Sequence, residues 1–589
     1  MKKYYFFICM GVLLHPFSLS AQTWQWAKGG GGEGSLNNPE SVVDIATDAD
    51  GNVTIISPVE KTNLMIDGHP KTAWGFNQQT PNYAIAQFSC NGTYRWSKVI
   101  GSNKTSIISG IETDAQGNVY AVGWTVPDAG FAGFVEPIHF DPDFVEPLTC
   151  AFGSCQTVKK SLFIIKYDKN GVFQWYHRPQ ADGLTDTQNA GNFSSELQVD
   201  PLGNCYWMVL IKPGTFANGA FVNTLPGQNV FLFKYNAAGT FLGANLMDFR
   251  AAVPNDLAVS GSYVHFRRNH NTGTIFMVGS DDNSSVPSLQ TYINGQFQAK
   301  DKYLAAFDSN GVFLWKKEGN LENNAWDSRR DICFDSDNNI YYTADVRSTV
   351  PDTFSNSLPY SIPQEQSFFV MKLDPSGNVL WQTMPTVNFG IFTSSIAVNG
   401  NEVGISSGIG GYVWDSFSET YVPNSGTKAY LARLNKNTGA VIGVHKLSSY
   451  FGGYDSSTAL ASNNGNFYVG GNFGDQLVAG STTLTGAGQS NFFVAKFGTA
   501  SCTLGLEDKQ ELEGLQLFPN PVHNVLFVKN QATALKYTLY DLMGKKLETG
   551  TIPVLQGEIR FLNYPAGTYL LYLEDTNGYL RKVKIIKEM

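Results

Sequence analysis

Several patterns in the chain have the residue types for chemistry. Gly404-Ile405-Ser406-Ser407-Gly408 satisfies the G-x-S-x-G spacing of a nucleophile elbow. That motif works because a strand turns sharply into a helix and lifts the serine above a sheet. Here the run sits in a stretch with strand texture and no helix after it, so a chance match in a Gly/Ser-rich chain is the expected reading. Asp48-Ala-Asp-Gly-Asn52 and Asp335-Ser-Asp-Asn-Asn339 read as openings of a calcium loop. Position 12, where a bidentate glutamate belongs, holds Val59 and Val346 instead. The histidines make no HExxH pair and scatter along the chain, and Gly29–Gly32 lacks the strand-then-helix setting of a phosphate loop. No catalytic, cofactor-binding or metal-ligating residue is therefore assigned. The candidate ligand contacts are Trp74, Trp326 and Trp414, large amphipathic side chains on long connections. Packing of extra hairpins is their other use.

The elements that must carry these residues are strands. The chain has 589 residues, 42% hydrophobic and 15% charged, with 59 glycines and 13% aromatics. Such a composition excludes a disordered tail or a coiled coil and fits many short strands with tight turns. A net charge of −9 excludes a general electrostatic footprint for nucleic acid. One apolar strand recurs as Tyr83–Phe88, Leu162–Tyr167, Val230–Tyr235, Tyr303–Phe307, Phe368–Leu373, Tyr430–Leu434 and Phe492–Phe497. Six copies run on through Gly92, Gly171, Gly239, Gly311, Gly377 and Gly439, and four of these are followed four residues later by Trp96, Trp175, Trp315 or Trp381. A second turn alternates with the first, as in Asp114-Ala-Gln-Gly-Asn118 and Asp200-Pro-Leu-Gly-Asn204, and also has seven members. Each period has room for four strands.

These counts predict an all-β chain: a seven-bladed β-propeller over residues 22–498. The seventh strand, Phe492–Phe497, has no partner after it. Trp24-Gln-Trp-Ala-Lys28 looks like the missing piece, so the N-terminal strand is expected to close the last blade. Two strands separate the two tight turns, which places both on one face and the long links, Ser57 to Tyr83 and Trp124 to Leu162, on the other. Links of that length either carry function or form extra hairpins. The repeat Trp residues are expected to pack between blades.

The two alternating elements resemble the bacterial SBBP propeller repeats and, more distantly, NHL repeats, over about residues 24–498. The Gly-then-Trp texture also resembles quinoprotein propellers, but that family typically has eight blades and often an adjacent Cys pair, which this chain lacks.

Residues 1–21 read as a secretory signal, with Lys2 and Lys3 before an apolar block. No later stretch reaches the length of a membrane span. In an exported chain disulfides are allowed; Cys150 and Cys155 are close enough to bridge, whereas Cys205 and Cys333 fall in expected strands and read as small buried hydrophobes.

After a linker over 499–513, residues 514–589 alternate as short strands of a small β-sandwich. Pro519-Asn520-Pro521, then Asp541 and Gly544, then Pro565, Gly567 and Tyr569, and last Lys582, Lys584 and Lys587 occur in order. This segment resembles the type A C-terminal sorting domain of the type IX secretion system, with Tyr564 where that family usually has Leu. The resemblance implies the secretion machinery as partner, passage through the periplasm and an outer-membrane channel, and a product released or attached to the outer surface. The functional expectation is a non-catalytic binding or adhesion propeller for an unknown glycan or protein, without cofactor. The alternative is a secreted polysaccharide hydrolase or lyase.

Overall fold

The computed structural model describes residues 22–33, 40–75, 80–103, 106–125, 128–129, 135–140, 144–145, 161–179, 193–252, 264–280, 290–298, 302–319, 331–346, 352–353, 359–360, 367–422, 426–449, 455–486, 490–499, 515–529, 534–541, 545–574 and 580–588. The expected signal, Cys150, Cys155, Trp326, Gly544 and nearly all of the linker lie outside them.

The chain divides into two compact units, Met1–Cys502 and Thr503–Met589. Among the described residues the first unit holds seven antiparallel sheets, each built on four strands. Blade 1 is Asp44–Thr47, Val53–Val59, Asn82–Phe88 and Tyr94–Gly101; blade 2 is Ser106–Thr113, Val119–Thr125, Ser161–Tyr167 and Phe173–His177. Blade 3 is Phe193–Val199, Cys205–Ile211, Asn229–Tyr235 and Phe241–Leu246; blade 4 is Val264–Arg268, Ile275–Ser280, Lys302–Phe307 and Phe313–Gly319. Blade 5 is Asp331–Phe334, Ile340–Val346, Ser367–Leu373 and Val379–Thr383; blade 6 is Thr386–Asn399, Glu402–Trp414, Lys428–Asn435 and Val441–Lys446. Blade 7 takes Ser456–Asn463, Asn466–Phe473 and Asn491–Gly498 from the end of the unit and Thr23–Gly31 from its start. The first strand of each blade touches the first strand of the next, and that of blade 7 touches that of blade 1, so the ring is closed.

Closure occurs where the sequence places it. Trp24 pairs with Phe497, Ala27 with Ala495 and Lys28 with Val494. The two tight turns of a blade share one face, as expected: a Cβ on Gly203 would lie 2.9 Å from that of Ala237 in blade 3, and one on Gly273 would lie 3.2 Å from that of Ser309 in blade 4. In the second turn the leading aspartate consumes its own oxygens. Asp48 Oδ1 accepts from the Asp50 and Asn52 N–H groups at 3.0 and 2.9 Å, while Oδ2 accepts from Asn52 Nδ2 at 2.7 Å. Asp335 repeats this pattern. These side chains act as turn formers.

The Gly-then-Trp spacing has a packing cause. Trp26, Trp96, Trp175, Trp315 and Trp381, on the outer strands of blades 7, 1, 2, 4 and 5, each lie on the turn glycine of the following blade: Gly92, Gly171, Gly239, Gly377 and Gly439. Four of the indole N–H groups donate to carbonyls of that same turn, those of Cys90, Lys169, Ala237 and Lys436, at 2.9–3.2 Å. The outer strand of blade 3 has Gly243 at the indole position, and Met247 meets Gly311 instead. The expectation that these rings lock neighbouring blades holds. Gly171→Ala will therefore destabilise the ring by about 2 kcal/mol, since φ is +79° and the new Cβ would stand 2.6 Å from the Trp96 ring. Denaturant melts of the two proteins check this.

The long links are hairpins used as straps. That of blade 1, Met65–Ile66 with His69–Pro70, pairs with Gly30 and Gly31 on the outer strand of blade 7. His139–Phe140 from the link of blade 2 pairs with the outer strand of blade 1. The hairpin Gln290–Ile293 with Gln296–Phe297 of blade 4 pairs with Phe249–Ala252, just after blade 3. Gln476–Ala479 with Thr482–Thr485 of blade 7 pairs with Ser448–Ser449, just after blade 6. Each strap leans back on the preceding blade.

Among the described cysteines, Cys205 and Cys333 are free thiols, Cys205 buried and Cys333 half-buried, and burial pushes both thiols up. Cys90 is disulfide-bonded.

The second unit is a sandwich. One sheet orders Gln516–Phe518, Val525–Lys529 and Gln556–Arg560; the other orders Lys546–Ile552, Leu535–Asp541, Gly567–Glu574 and Leu580–Lys587. Leu526, Val528, Leu539, Ile559, Leu571 and Ile585 fill the space between them. Burial alternates along Gly567–Glu574, with Tyr569, Leu571 and Leu573 buried and Thr568, Leu570, Tyr572 and Glu574 partly exposed, the period-two pattern of a half-buried strand.

Candidate functional site

Where the first strands of the blades meet at the axis, they gather charge. Counting back from the second tight turn, the fourth residue before it is Asp44 in blade 1, Glu196 in blade 3, His265 in blade 4, Asp331 in blade 5 and Ser395 in blade 6. The second residue before it is Glu112 in blade 2, Gln198 in blade 3 and Arg267 in blade 4. Alternation along a strand puts both positions on one side, so two layers of polar groups face the axis. Arg267, Glu196, Asp331 and His265 keep 14–23% of their side-chain surface exposed, as expected of groups lining an axial channel.

Arg267 is the centre of this arrangement. Its Nη1 lies 2.7 Å from Glu196 Oε2 and its Nη2 lies 3.2 Å from Asp331 Oδ1, so one guanidinium ties blades 3, 4 and 5. His265 Nδ1 is 2.5 Å from Glu196 Oε1. The acids also stitch alternate blade junctions through backbone groups. Asp44 accepts from the Ile111 N–H at 3.0 Å, Glu196 from that of Phe266 at 2.8 Å and Asp331 from that of Ile396 at 3.2 Å. Ser395 Oγ donates to Asp331 at 2.6 Å, and Gln198 Nε2 donates to Glu112 at 2.8 Å.

This setting pushes the acids apart. Burial raises Glu112 to about 8, with Asp44 adding to the effect, and raises Asp44 to about 6 against the pull of Arg267. Burial alone would raise Glu196 too, but Arg267 and His265 hold it at about 2. The cluster thus pairs a protonated carboxyl with an ionised one near neutral pH. Ionising Glu112 in the folded ring costs free energy from its free-chain value of 4.5 up to about 8, so its contribution to stability falls as pH rises through that window. Glu112→Gln lacks this fall. Its stability relative to the parent will increase from pH 5 to pH 8 by on the order of 2 kcal/mol, readable in paired melts.

The cluster is invisible to a linear reading of the chain because charged residues of successive blades, some 65–85 residues apart, carry no local pattern; aligning the repeats on the second turn would bring them into register. The strap turns Asp67-Gly68 and Asn294-Gly295 differ in this respect, since their paired left-handed residues are ordinary local hairpin signals.

The expected ligand contacts fare differently. Trp414 is buried between blades, its Nε1 donating to Thr383 Oγ1 at 2.8 Å, so its place is one of packing. Trp74 is half-buried, stacked on His139 with ring centroids 4.0 Å apart, and its Nε1 donates to the Val99 carbonyl. Ser406 lies fully buried inside the strand Glu402–Trp414, which leaves the elbow match without a turn or an exposed hydroxyl. No group of three or more His, Cys, Asp or Glu side chains arranged for a metal occurs among the described residues.

In the second unit the motif residues come together. Asp541 and Lys545 close a hairpin turn, with Asp541 Oδ1 accepting from the Lys545 N–H at 2.9 Å. Tyr569 donates to the Pro565 carbonyl at 2.7 Å. Tyr564 and Tyr537 both donate to Glu548, at 2.7 and 2.6 Å, which gives the hydroxyl at position 564 a partner. Asn520 reaches the last strand: its Oδ1 accepts from the Ile586 N–H at 2.9 Å and its Nδ2 donates to the Lys584 carbonyl at 2.8 Å.

Residues 516–588 match the family model described as the secretion system C-terminal sorting domain. The chain thus carries the sorting domain of the type IX system, which implies secretion across the outer membrane. No curated protein matches the chain. Among solved structures, it is similar to a quinohemoprotein alcohol dehydrogenase from Comamonas testosteroni at 10% identity and a TM-score of 0.32, covering 85% of this chain and 79% of that one. It is similar to BamB from Moraxella catarrhalis at 11% identity and a TM-score of 0.28, covering 81% and 100%. A europium-containing methanol dehydrogenase gives 12% identity and a TM-score of 0.34, covering 82% and 94%. The blade count rests on the strand pairings, and none of these likenesses bears on activity.

Proposed function

We propose that this protein is an exported propeller of the SBBP-like kind that works as a non-catalytic binding or adhesion module, secreted or held at the outer surface. The observation that carries this reading is the engagement of the axial acids. Asp44, Glu112, Glu196 and Asp331 all hydrogen-bond to a neighbouring blade, and a group that stitches the scaffold is a poor choice for a group that must exchange protons with substrate. The ligand class is a glycan or an extracellular protein. Trp74, beside His139, is the contact candidate with part of its ring surface outside the core.

A second reading, a hydrolase or lyase acting on polysaccharide, is favoured by one observation: Glu112 and Glu196 sit on adjacent axial strands with proton affinities driven to opposite sides of neutrality, the division of labour expected of an acid and a base. One experiment separates the two. The exported form is screened on a glycan array and then incubated with whatever polysaccharides it retains. Retention with no release of reducing ends, weakened in Trp74→Ala, supports the binding module. Release that disappears in both Glu112→Gln and Glu196→Gln replaces it with the enzyme.

A further inference from the structure

The most informative unexplained contact is that of Asn520. It belongs to Pro519-Asn520-Pro521 at the opening of the sorting unit, yet both hydrogen bonds of its amide are made 64 and 66 residues further on. The strand Leu580–Lys587 is the edge of its sheet, pairing on one side with Gly567–Glu574. On its other side the peptide groups between Lys584 and Ile586 would face water. Asn520 takes the Lys584 carbonyl and the Ile586 N–H, the two groups that a neighbouring strand would take. Val522 continues the imitation: its N–H donates to the Ile586 carbonyl at 2.7 Å, and its own carbonyl accepts from the Glu588 N–H at 2.9 Å. Val522 and Lys587 thereby form a parallel bridge.

The side chains of this strand alternate. Ile585 is fully buried in the sandwich core, while Lys584 and Ile586 point outward and are exposed. A slip of one residue would exchange those faces. Nothing in the pairing with Gly567–Glu574 alone guards the outer edge, and an edge strand near its end frays readily. Asn520 is placed to prevent both.

We propose that Asn520 is a positioning residue for sorting: it holds the last strand in register and so presents Lys584 and Ile586 to the secretion machinery. This rests on the sorting reading of the unit and adds to it a physical link between its first and last motif elements. Asn supplies one acceptor and one donor on a short stem, the pair that adjacent carbonyl and N–H groups of a strand edge require. Asp supplies the acceptor alone.

The test uses the full chain expressed in a type IX-competent cell, with four variants: deletion from Gly514 onward, Asn520→Ala, Asn520→Asp and Tyr564→Phe. Export is scored by fractionation, and exchange of the Ile586 amide is followed by mass spectrometry of the purified chain. The expected result is loss of export on deletion, at least a tenfold fall with faster Ile586 exchange in Asn520→Ala, and an intermediate fall in Asn520→Asp. Tyr564→Phe removes a hydroxyl partner of Glu548 elsewhere in the same sandwich and is expected to export normally, which separates strand positioning from general weakening. Full export of the deletion overturns the sorting reading itself. Loss of export on deletion with full export of Asn520→Ala overturns only the role of Asn520, as does an equal fall in Tyr564→Phe.

Discussion

Arg267→Met will cost the ring about 3–5 kcal/mol at pH 7, the scale seen when one partner is removed from a buried charge pair and the other is left behind. The single guanidinium serves Glu196 and Asp331 on either side of its own blade. Without it three first strands lose their shared cation and two carboxylates face one another across the axis. The deficit carries a pH signature. Glu196, held at about 2 against 4.5 in the free chain, contributes stability that is present above 4.5 and is lost as pH falls toward 2. Arg267→Met forfeits the largest share of that contribution and leaves the smaller share of His265, so the gap between parent and variant is full above pH 5 and narrows on acidification. Adding Glu196→Gln to Arg267→Met will recover part of the loss. Chemical melts at pH 7 and pH 4 read both effects, and a gap that is constant with pH would remove Glu196 from the account.

Deleting Thr23–Gly31 will have the larger effect, the loss of a cooperatively folded ring. Nine residues vanish, and with them the outer strand of blade 7, the partner of Met65–Ile66, and the Trp26 indole that covers Gly92 and donates to the Cys90 carbonyl. The strand Asn491–Gly498, buried along its whole length, would be left with an open edge. Domain stabilities of about 5–15 kcal/mol do not survive the exposure of that much apolar surface and backbone. The truncated chain is expected to show no sharp thermal transition and to aggregate, and a synthetic peptide spanning residues 22–33 added during refolding is expected to restore the transition in part. A truncated chain that melts sharply near the parental temperature would dispose of the closure.

How far the sequence reached can be judged from those same residues. The closing strand was legible because Trp24–Lys28 repeats the texture of Trp96-Ser-Lys98, and a repeat broken at one end and surplus at the other has one closed solution. The repeat tryptophans were legible because each stands a fixed distance from a turn glycine. What resisted was whatever depends on several blades at once. Arg267, Glu196 and Asp331 look like ordinary surface charges on separate strands, and only the convergence of first strands makes them one cluster. Trp414 looked available because it sits on a long connection, but position along the chain says little about burial when connections fold back as hairpins. The sorting unit was legible in its motifs but silent on their geometry: Pro519-Asn520-Pro521 and the final basic strand are distant in sequence, and the amide that joins them is visible only once both are folded.

The shared last blade also fixes what a protease can do. Its outermost strand comes from the front of the chain and the adjacent one, ending at Gly498, from the back of the ring. A cut made beyond Gly498 severs none of the strand pairings that hold the wheel shut. The export label can thus be clipped off like a luggage tag, and the cargo it delivered stays a sealed circle.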